Sequence, residues 1–358
     1  MHLTAHFEEI SDLAAVEARW RVLEQRAQPK SFFLRWVWVG SWLAAMREAG
    51  MDLPELMVIR GRHGTDEGLA LIGNAAVQRK LGSVSALWLN EAGEPEADRP
   101  FIEYNGLLCA QDKLPLAVHA FCEALAARED WVVLHLSGLG FGALLTEVPG
   151  VRRRTIRDAS PAYFADLKAV RGAGGDYLSL LSANTRAQIK RSVKDEPAEL
   201  EIESATDTVT LDLWLEDMRV MNAGRHADNA WDNSFFRNFV RRIVRAGQAD
   251  ATVELLRITA GEEAVGFLLN FIWAGRAMNY QSAFALPRTA KSKPGLMCHA
   301  AAVAHYAARD LNLYSFLAGK DRYKHSLSTG AEELHWWALE RFDWRLEAEA
   351  FLRKIFSK

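Results

Sequence analysis

Tyr323 and Lys324 stand just after a short apolar run, 313–317, that closes on Ala318-Gly319. Loops at strand ends commonly carry function. A phenol there can hand a proton to a leaving group, while an ammonium holds a carboxylate or phosphate. His299 lies one turn inside a helical stretch that begins after Pro294-Gly295, and an imidazole titrates near neutral pH, which makes it the candidate base. Asn270, Tyr280 and Gln281 place polar groups in otherwise apolar strand-like runs. Buried, such groups need partners, so they either line an acceptor pocket or bond to their neighbours. Arg186, Lys190, Arg191 and Lys194 recur at helical spacing as a basic stripe, which is either a solvated helix face or one that reads phosphate and carboxylate.

Several familiar sites are missing. The chain has no HExxH, no GxSxG elbow, no GxxxxGK(S/T) loop and no GxGxxG after a strand-like run, so zinc-protease, α/β-hydrolase, P-loop and dinucleotide readings lose their support. His299 and His305 are six residues apart on one expected helix and face different ways; a shared metal needs a spacing of three or four, and no metal is expected. Cys109, Cys122 and Cys298 are widely spaced without a CxxC pair, which fits a reducing compartment better than a disulfide framework. The first residues, Met1 to Glu9, lack a basic stretch leading into an apolar one. The most apolar window, 33–46, contains Arg35 and falls short of the roughly 20 apolar residues a membrane span requires. A soluble, cytoplasmic protein is expected.

The elements that must position these residues follow one order twice. In the first half come strand-like runs at 55–60, 69–77, 84–89 and 102–109, a helical stretch at 112–128, and an apolar strand at 131–136. In the second half come strands at 252–259, 264–273 and 277–284, a helix from Pro294-Gly295, and a strand at 313–317. A meander followed by a helix crossover into a parallel strand is a mixed α/β arrangement. Two amphipathic helices precede the second meander, one carrying Leu211, Trp214, Leu215, Met218 and Met221, the other Phe236, Phe239, Val240 and Ile243. Trp36, Trp38 and Trp42 read as core, and residues 341–358 as a final helix. The 358 residues are 49% hydrophobic and 25% charged, an ordinary globular balance, and the length favours two domains. Three glycines in Arg171-Gly172-Ala173-Gly174-Gly175 mark the linker. The expected domains are 1–157 and 176–358, with the boundary region at 158–175. With 43 basic against 46 acidic side chains the net charge is −3, so any phosphate site is local rather than part of a general basic field.

Four local signatures, in order, carry a resemblance: Ser31-Phe32-Phe33 with Trp38 and Trp42; Tyr177-Leu178-Ser179-Leu180-Leu181-Ser182 through Arg186; Lys293-Pro294-Gly295; and Gly319-Lys320-Asp321-Arg322-Tyr323-Lys324. Together they resemble the GNAT acyltransferases, in the FemAB-like and CelD-like branch. The resemblance implies two tandem GNAT-like domains, the second carrying the active site, and transfer of an acyl group from a thioester to an amine or hydroxyl of a small molecule or cell-envelope precursor. It implies no tightly bound cofactor; the donor is a co-substrate. It places the donor between two splaying parallel strands, with its phosphates over a helix N-terminus formed by Ser292, Lys293, Gly295, Leu296 and Met297, because orphan N–H groups and the helix dipole attract anions. Tyr323, Lys324 and His299 become the catalytic candidates, and Tyr280, Gln281, Asn270 and Arg186 the substrate-binding ones. The usual coenzyme A loop, (R/Q)xxGx(G/A), is replaced by Lys291-Ser292-Lys293-Pro294-Gly295, with one glycine and a proline that has no N–H. Acyl-CoA, acyl carrier protein and aminoacyl-tRNA therefore stand as alternative donors, the last disfavoured by the acidic balance. A degenerate pair that only binds is the reading outside enzymes.

Overall fold

Residues 2–140, 142, 144–225 and 227–356 are described in the computed structural model. The elements run β1 (Thr4–Glu8), α1 (Leu13–Ala27), α2 (Trp36–Glu48), β2 (Glu55–Arg60), β3 (Asp66–Arg79), β4 (Gly82–Leu89), β5 (Leu108–Cys109), α3 (Leu114–Ala127), β6 (Val133–Gly140) and β7 (Arg153–Asp166). They continue with α4 (Leu167–Gly172), α5 (Ala183–Lys194), β8 (Leu200–Ser204), α6 (Thr208–Asn222), α7 (Ser234–Gln248), β9 (Val253–Ala260), β10 (Glu263–Trp273) and β11 (Arg276–Phe284). The last are α8 (Pro294–Ala308), β12 (Leu313–Ala318), α9 (Arg322–Leu327), β13 (Gly330–Glu340) and α10 (Trp344–Phe356). No helix of the described residues is long and apolar enough to cross a membrane.

The first unit comprises residues 1–159 and 334–358. β1, β2, β3 and β4 pair antiparallel in sequence, and α3 carries the chain over to β6, which joins β4 in parallel. Met57, Ile72, Leu87, Phe121, Trp131 and Leu136 make the core under α3, as the period-2 and helical apolar patterns require. Trp36, Trp38 and Trp42 are buried as expected, and the Trp42 indole N–H donates to the Ala97 carbonyl at 2.8 Å. Residues 102–107, expected to begin a strand, are irregular; only Leu108–Cys109 pairs, on β3.

The second unit comprises residues 160–333. β8, β9, β10 and β11 pair antiparallel, and α8 crosses over to β12, parallel to β11. Each unit thus repeats the meander, helix and parallel strand. Helix starts follow their capping residues: Asp207 accepts from the Val209 and Thr210 amides at the head of α6, and Ser182 from the Thr185 amide at the head of α5.

The domain limits differ from those the sequence suggested. Residues 158–175 are not a linker: they form the end of β7, the helix α4 and the turn after it, with Ala162–Asp166 paired on β12. Residues 334–358 return to the first unit. Leu334–Glu340 of β13 pairs with β6, the buried Glu340 carboxylate accepts from Arg79 at 3.1 Å and Arg153 at 2.7 Å, and Leu346 of α10 packs on Val84, Ala86 and Val133. The final helix starts at Trp344, because Arg341 ends the run out of β13 by donating to carbonyls at the end of α3. Residues 357–358 of the expected helix lie outside the described residues.

Candidate active site

The parallel pair β11/β12 is matched over three positions, from Arg276↔Leu313 to Met278↔Ser315. Beyond these the strands part, although β11 continues to Phe284 and β12 to Ala318. The cause is local. The β10/β11 register shifts where Asn279 and Gln281 face Asn270 and Leu269, leaving Tyr280 as the extra residue of a bulge, and a bulge sharpens twist. On β12, Leu317 takes a φ of 58°, and the register against β7 shifts between Ser315 and Ala318. In the first unit β4 and β6 also pair over only three positions, but there Asn105 bridges the gap. Its side-chain amide donates to the Leu89 carbonyl at 2.9 Å, and its backbone N–H to the Gly138 carbonyl at 3.2 Å. In the second unit the corresponding space holds side chains.

His299 is at its centre. The imidazole is fully buried, with Phe284 of β11 at 5.6 Å and Phe316 of β12 at 5.4 Å between ring centroids. Tyr323 stacks on it at 5.7 Å and 15°. The structure therefore brings together two of the three expected catalytic residues. Nδ1 of His299 lies 3.0 Å from the Tyr314 hydroxyl, and Nε2 has no hydrogen-bond partner among the described residues. Burial, with a smaller push from the Lys324 ammonium, lowers its pKa to about 3. It is neutral at neutral pH and a weak base, contrary to the role the sequence suggested. The Tyr323 phenol is raised by burial and by the Asp321 carboxylate, so it stays protonated and can donate. Lys324 donates to the Ala318 carbonyl at 2.6 Å, fastening α9 to the end of β12.

Beside Tyr323 opens a pocket of about 900 Å³ between α5, the head of α8, α9 and residues 328–331. Lys293, Leu296 and Tyr323 line it, together with Asn184 and Arg322, which stand inside two of the four signatures without an assigned role, and Gln188, which carried no signal beyond its helix.

The expected phosphate turn has a different use. Ser292 is fully buried and donates to Asp195 at 2.5 Å, and the Lys293 amide donates to Ser192 Oγ at 2.8 Å. Leu296 and Met297 amides turn back to the Lys293 carbonyl, and Pro294 has none to offer. Among the described residues only the Gly295 amide at the head of α8 is left open. Met297 is core. A Cβ at 295 would sit 3.0 Å from the Phe284 ring, which would have to give by a few tenths of an ångström to accept it. Replacing Ser192 by Ala should orphan the Lys293 amide and cost about 1 kcal/mol, a lowering of the unfolding midpoint by roughly 2–4 °C that calorimetry would read.

The expected substrate residues fall outside this pocket. Asn270 is fully buried and accepts from Asn279 Nδ2 at 3.1 Å, an internal strand ladder. Tyr280 stacks on Phe271 at 4.7 Å, and Gln281 gives its carbonyl to Asn279 at 3.3 Å. Arg186 leans toward the Leu178 carbonyl at 3.5 Å, while Lys190, Arg191 and Lys194 are exposed.

Residues 182–325 match the family described as the acetyltransferase (GNAT) domain. No curated protein matches the sequence. Among solved structures, the chain is similar to a C-terminal domain assigned to lysylphosphatidylglycerol synthetase from Agrobacterium fabrum, at 11% identity and a TM-score of 0.57, covering 94% of this chain and 95% of that one. It is similar to L-PGS from Bacillus licheniformis at 11% identity and a TM-score of 0.57, covering 99% of each chain. FemX matches at 10% identity and a TM-score of 0.56, covering 94% of this chain and 97% of that one. At these identities the likeness is one of fold.

Proposed function

This chain carries a tandem GNAT-like, FemAB-like fold, and from that premise we propose that it is an acyltransferase. It moves an acyl group from a thioester of coenzyme A or of an acyl carrier protein to an amine or hydroxyl of a small molecule or cell-envelope precursor. The observation that carries this reading is the parting of β11 and β12 around His299 and Tyr323, in the one unit whose strand gap is not bridged by its own chain. An acyl group entering from the 900 Å³ pocket meets Tyr323 first. The acceptor attacks the carbonyl, the leaving group departs with its electron pair, and holding both reactants together supplies much of the rate. Tyr323 donates a hydrogen bond to that leaving atom. The donor is a co-substrate, and no resident cofactor is part of the scheme.

A second donor class is favoured by one observation: Lys190, Arg191 and Lys194 give α5 an exposed basic face. This fits an aminoacyl-tRNA ester, whose use predicts ribonuclease-sensitive activity. The single open amide of α8 also weakens the case for a pyrophosphate held in the usual way.

Thermal unfolding with acetyl-, medium- and long-chain acyl-CoA, acylated carrier protein and aminoacyl-tRNA tests the proposal. A donor at a hundred times its dissociation constant adds about 2.7 kcal/mol to the folded state. A shift with one class names the donor. No shift with any of them overturns the acyltransferase reading in favour of a pair that has lost its chemistry.

A further inference from the structure

The Tyr314 hydroxyl has His299 Nδ1 as its partner and makes no other hydrogen bond among the described residues. Two tautomers are open to this pair. If Nδ1 carries the proton and donates to the phenol oxygen, the buried Tyr314 O–H is left without an acceptor and Nε2 without a donor. If Tyr314 donates to Nδ1, only one group is unmatched, the N–H at Nε2. Each buried polar group left unmatched is costly, so the second arrangement, with one such group instead of two, is the favoured one, and the remaining donor calls for an acceptor.

From this geometry, and resting on the acyltransferase reading above, we propose that His299 takes part as a neutral hydrogen-bond donor, its Nε2–H aimed at the acyl carbonyl oxygen of the donor substrate. The ring lies where β11 and β12 part, between Phe284 and Phe316. Tyr323 both lines the pocket and stacks on the imidazole, so its ring must shift for the carbonyl to reach Nε2. As the acceptor nitrogen forms the new C–N bond, the carbonyl π pair moves onto oxygen, where the Nε2–H bond stabilises it. When the pair returns, the bond to the leaving atom breaks, that atom keeps its electrons and takes the Tyr323 phenol proton, which solvent restores, and the amine's proton goes to solvent. His299 keeps its own proton throughout. Tyr314 is a positioning residue that fixes the tautomer. The lowered pKa of the imidazole agrees with a group that donates while neutral.

The test uses the whole chain with the donor identified by the unfolding series. His299→Gln keeps an N–H near the Nε2 position without an ionisable ring, and His299→Leu removes it. The proposal expects kcat to fall by about 10²–10³ in His299→Leu, by less than about tenfold in His299→Gln, with little change in KM for the donor in either. In 15N-edited spectra at neutral pH, His299 of the wild type is the Nε2–H tautomer, and Tyr314→Phe lets the other tautomer appear as kcat falls. A glutamine variant as impaired as the leucine one, or an Nδ1–H or doubly protonated ring in the wild type, overturns the donor role. A wild type that transfers no acyl group from any donor fails earlier, at the acyltransferase reading itself, and is thereby distinguished.

Discussion

Tyr323→Phe is expected to lower kcat by about 100-fold while leaving donor affinity within about twofold. The size follows from the part assigned to the hydroxyl: a positioned proton or hydrogen-bond donor is worth about 10²–10⁴ in rate. The hydroxyl makes no hydrogen bond among the described residues, and the stack on His299 is made by the ring, which phenylalanine keeps. Folding should therefore be unaffected, so a rate loss cannot be charged to an unfolded fraction. The raised phenol adds a second feature. Because the group stays protonated well above neutral pH, wild-type kcat should show no loss of the Tyr323 proton up to its ordinary range near 10. Steady-state turnover and donor titration on the same preparation check both statements. Unchanged turnover in the phenylalanine variant removes Tyr323 from the chemistry.

Glu254→Ala should cost about 1–2 kcal/mol, because it leaves the buried Tyr306 hydroxyl without its acceptor while the exposed Arg309 returns to water. Glu254 of β9 accepts from Ser204 at 2.7 Å, from the fully buried Tyr306 at 2.8 Å and from Arg309 at 2.7 Å, which ties the sheet to the end of α8. Tyr306 in turn stacks on Tyr314 at 5.8 Å, the residue that holds His299. Burial alone would raise the Glu254 carboxyl, but the hydrogen bonds and the Arg309 charge outweigh it and the pKa is lowered. A lowered carboxyl contributes stability above the unfolded pKa of about 4.3 and loses it as the pH falls through the folded value. The gap between wild type and variant is therefore full at neutral pH and narrows in acid below about pH 4. Denaturant titrations across that range measure it; a gap that does not change with pH would assign the cost to packing alone.

The duplicated order of meander, helix and strand was legible because each element carries its own signal: short apolar runs along β9 to β11, helical spacing along α8, glycine or proline at the joints. What was not legible depends on partners far away in the chain. Strand β7 reads locally as Arg-rich and broken by Pro161, and its end, Ala162–Asp166, is held as a strand by pairing with β12. The return of β13 to β6 is set by Glu340 meeting Arg79 and Arg153, contacts no window can contain. In the site, Tyr323 and His299 were found from strand-end and helix positions, and the ring stack joins them. Ser292 and Lys293 were given a phosphate because the resemblance sets the donor's phosphates over that helix start; Ser192 and Asp195 of the neighbouring segment close it. The unmatched Nε2 of His299 depends on what surrounds the ring, and only the assembled unit defines that.

The central claim is that an activated acyl donor binds where β11 and β12 part. Amide hydrogen exchange with and without the stabilising donor locates it directly. The account predicts slowed exchange in 279–284, 293–300 and 314–327, with the first unit unchanged. Protection confined to residues 1–159, or none at all with a donor known to be bound, would contradict it.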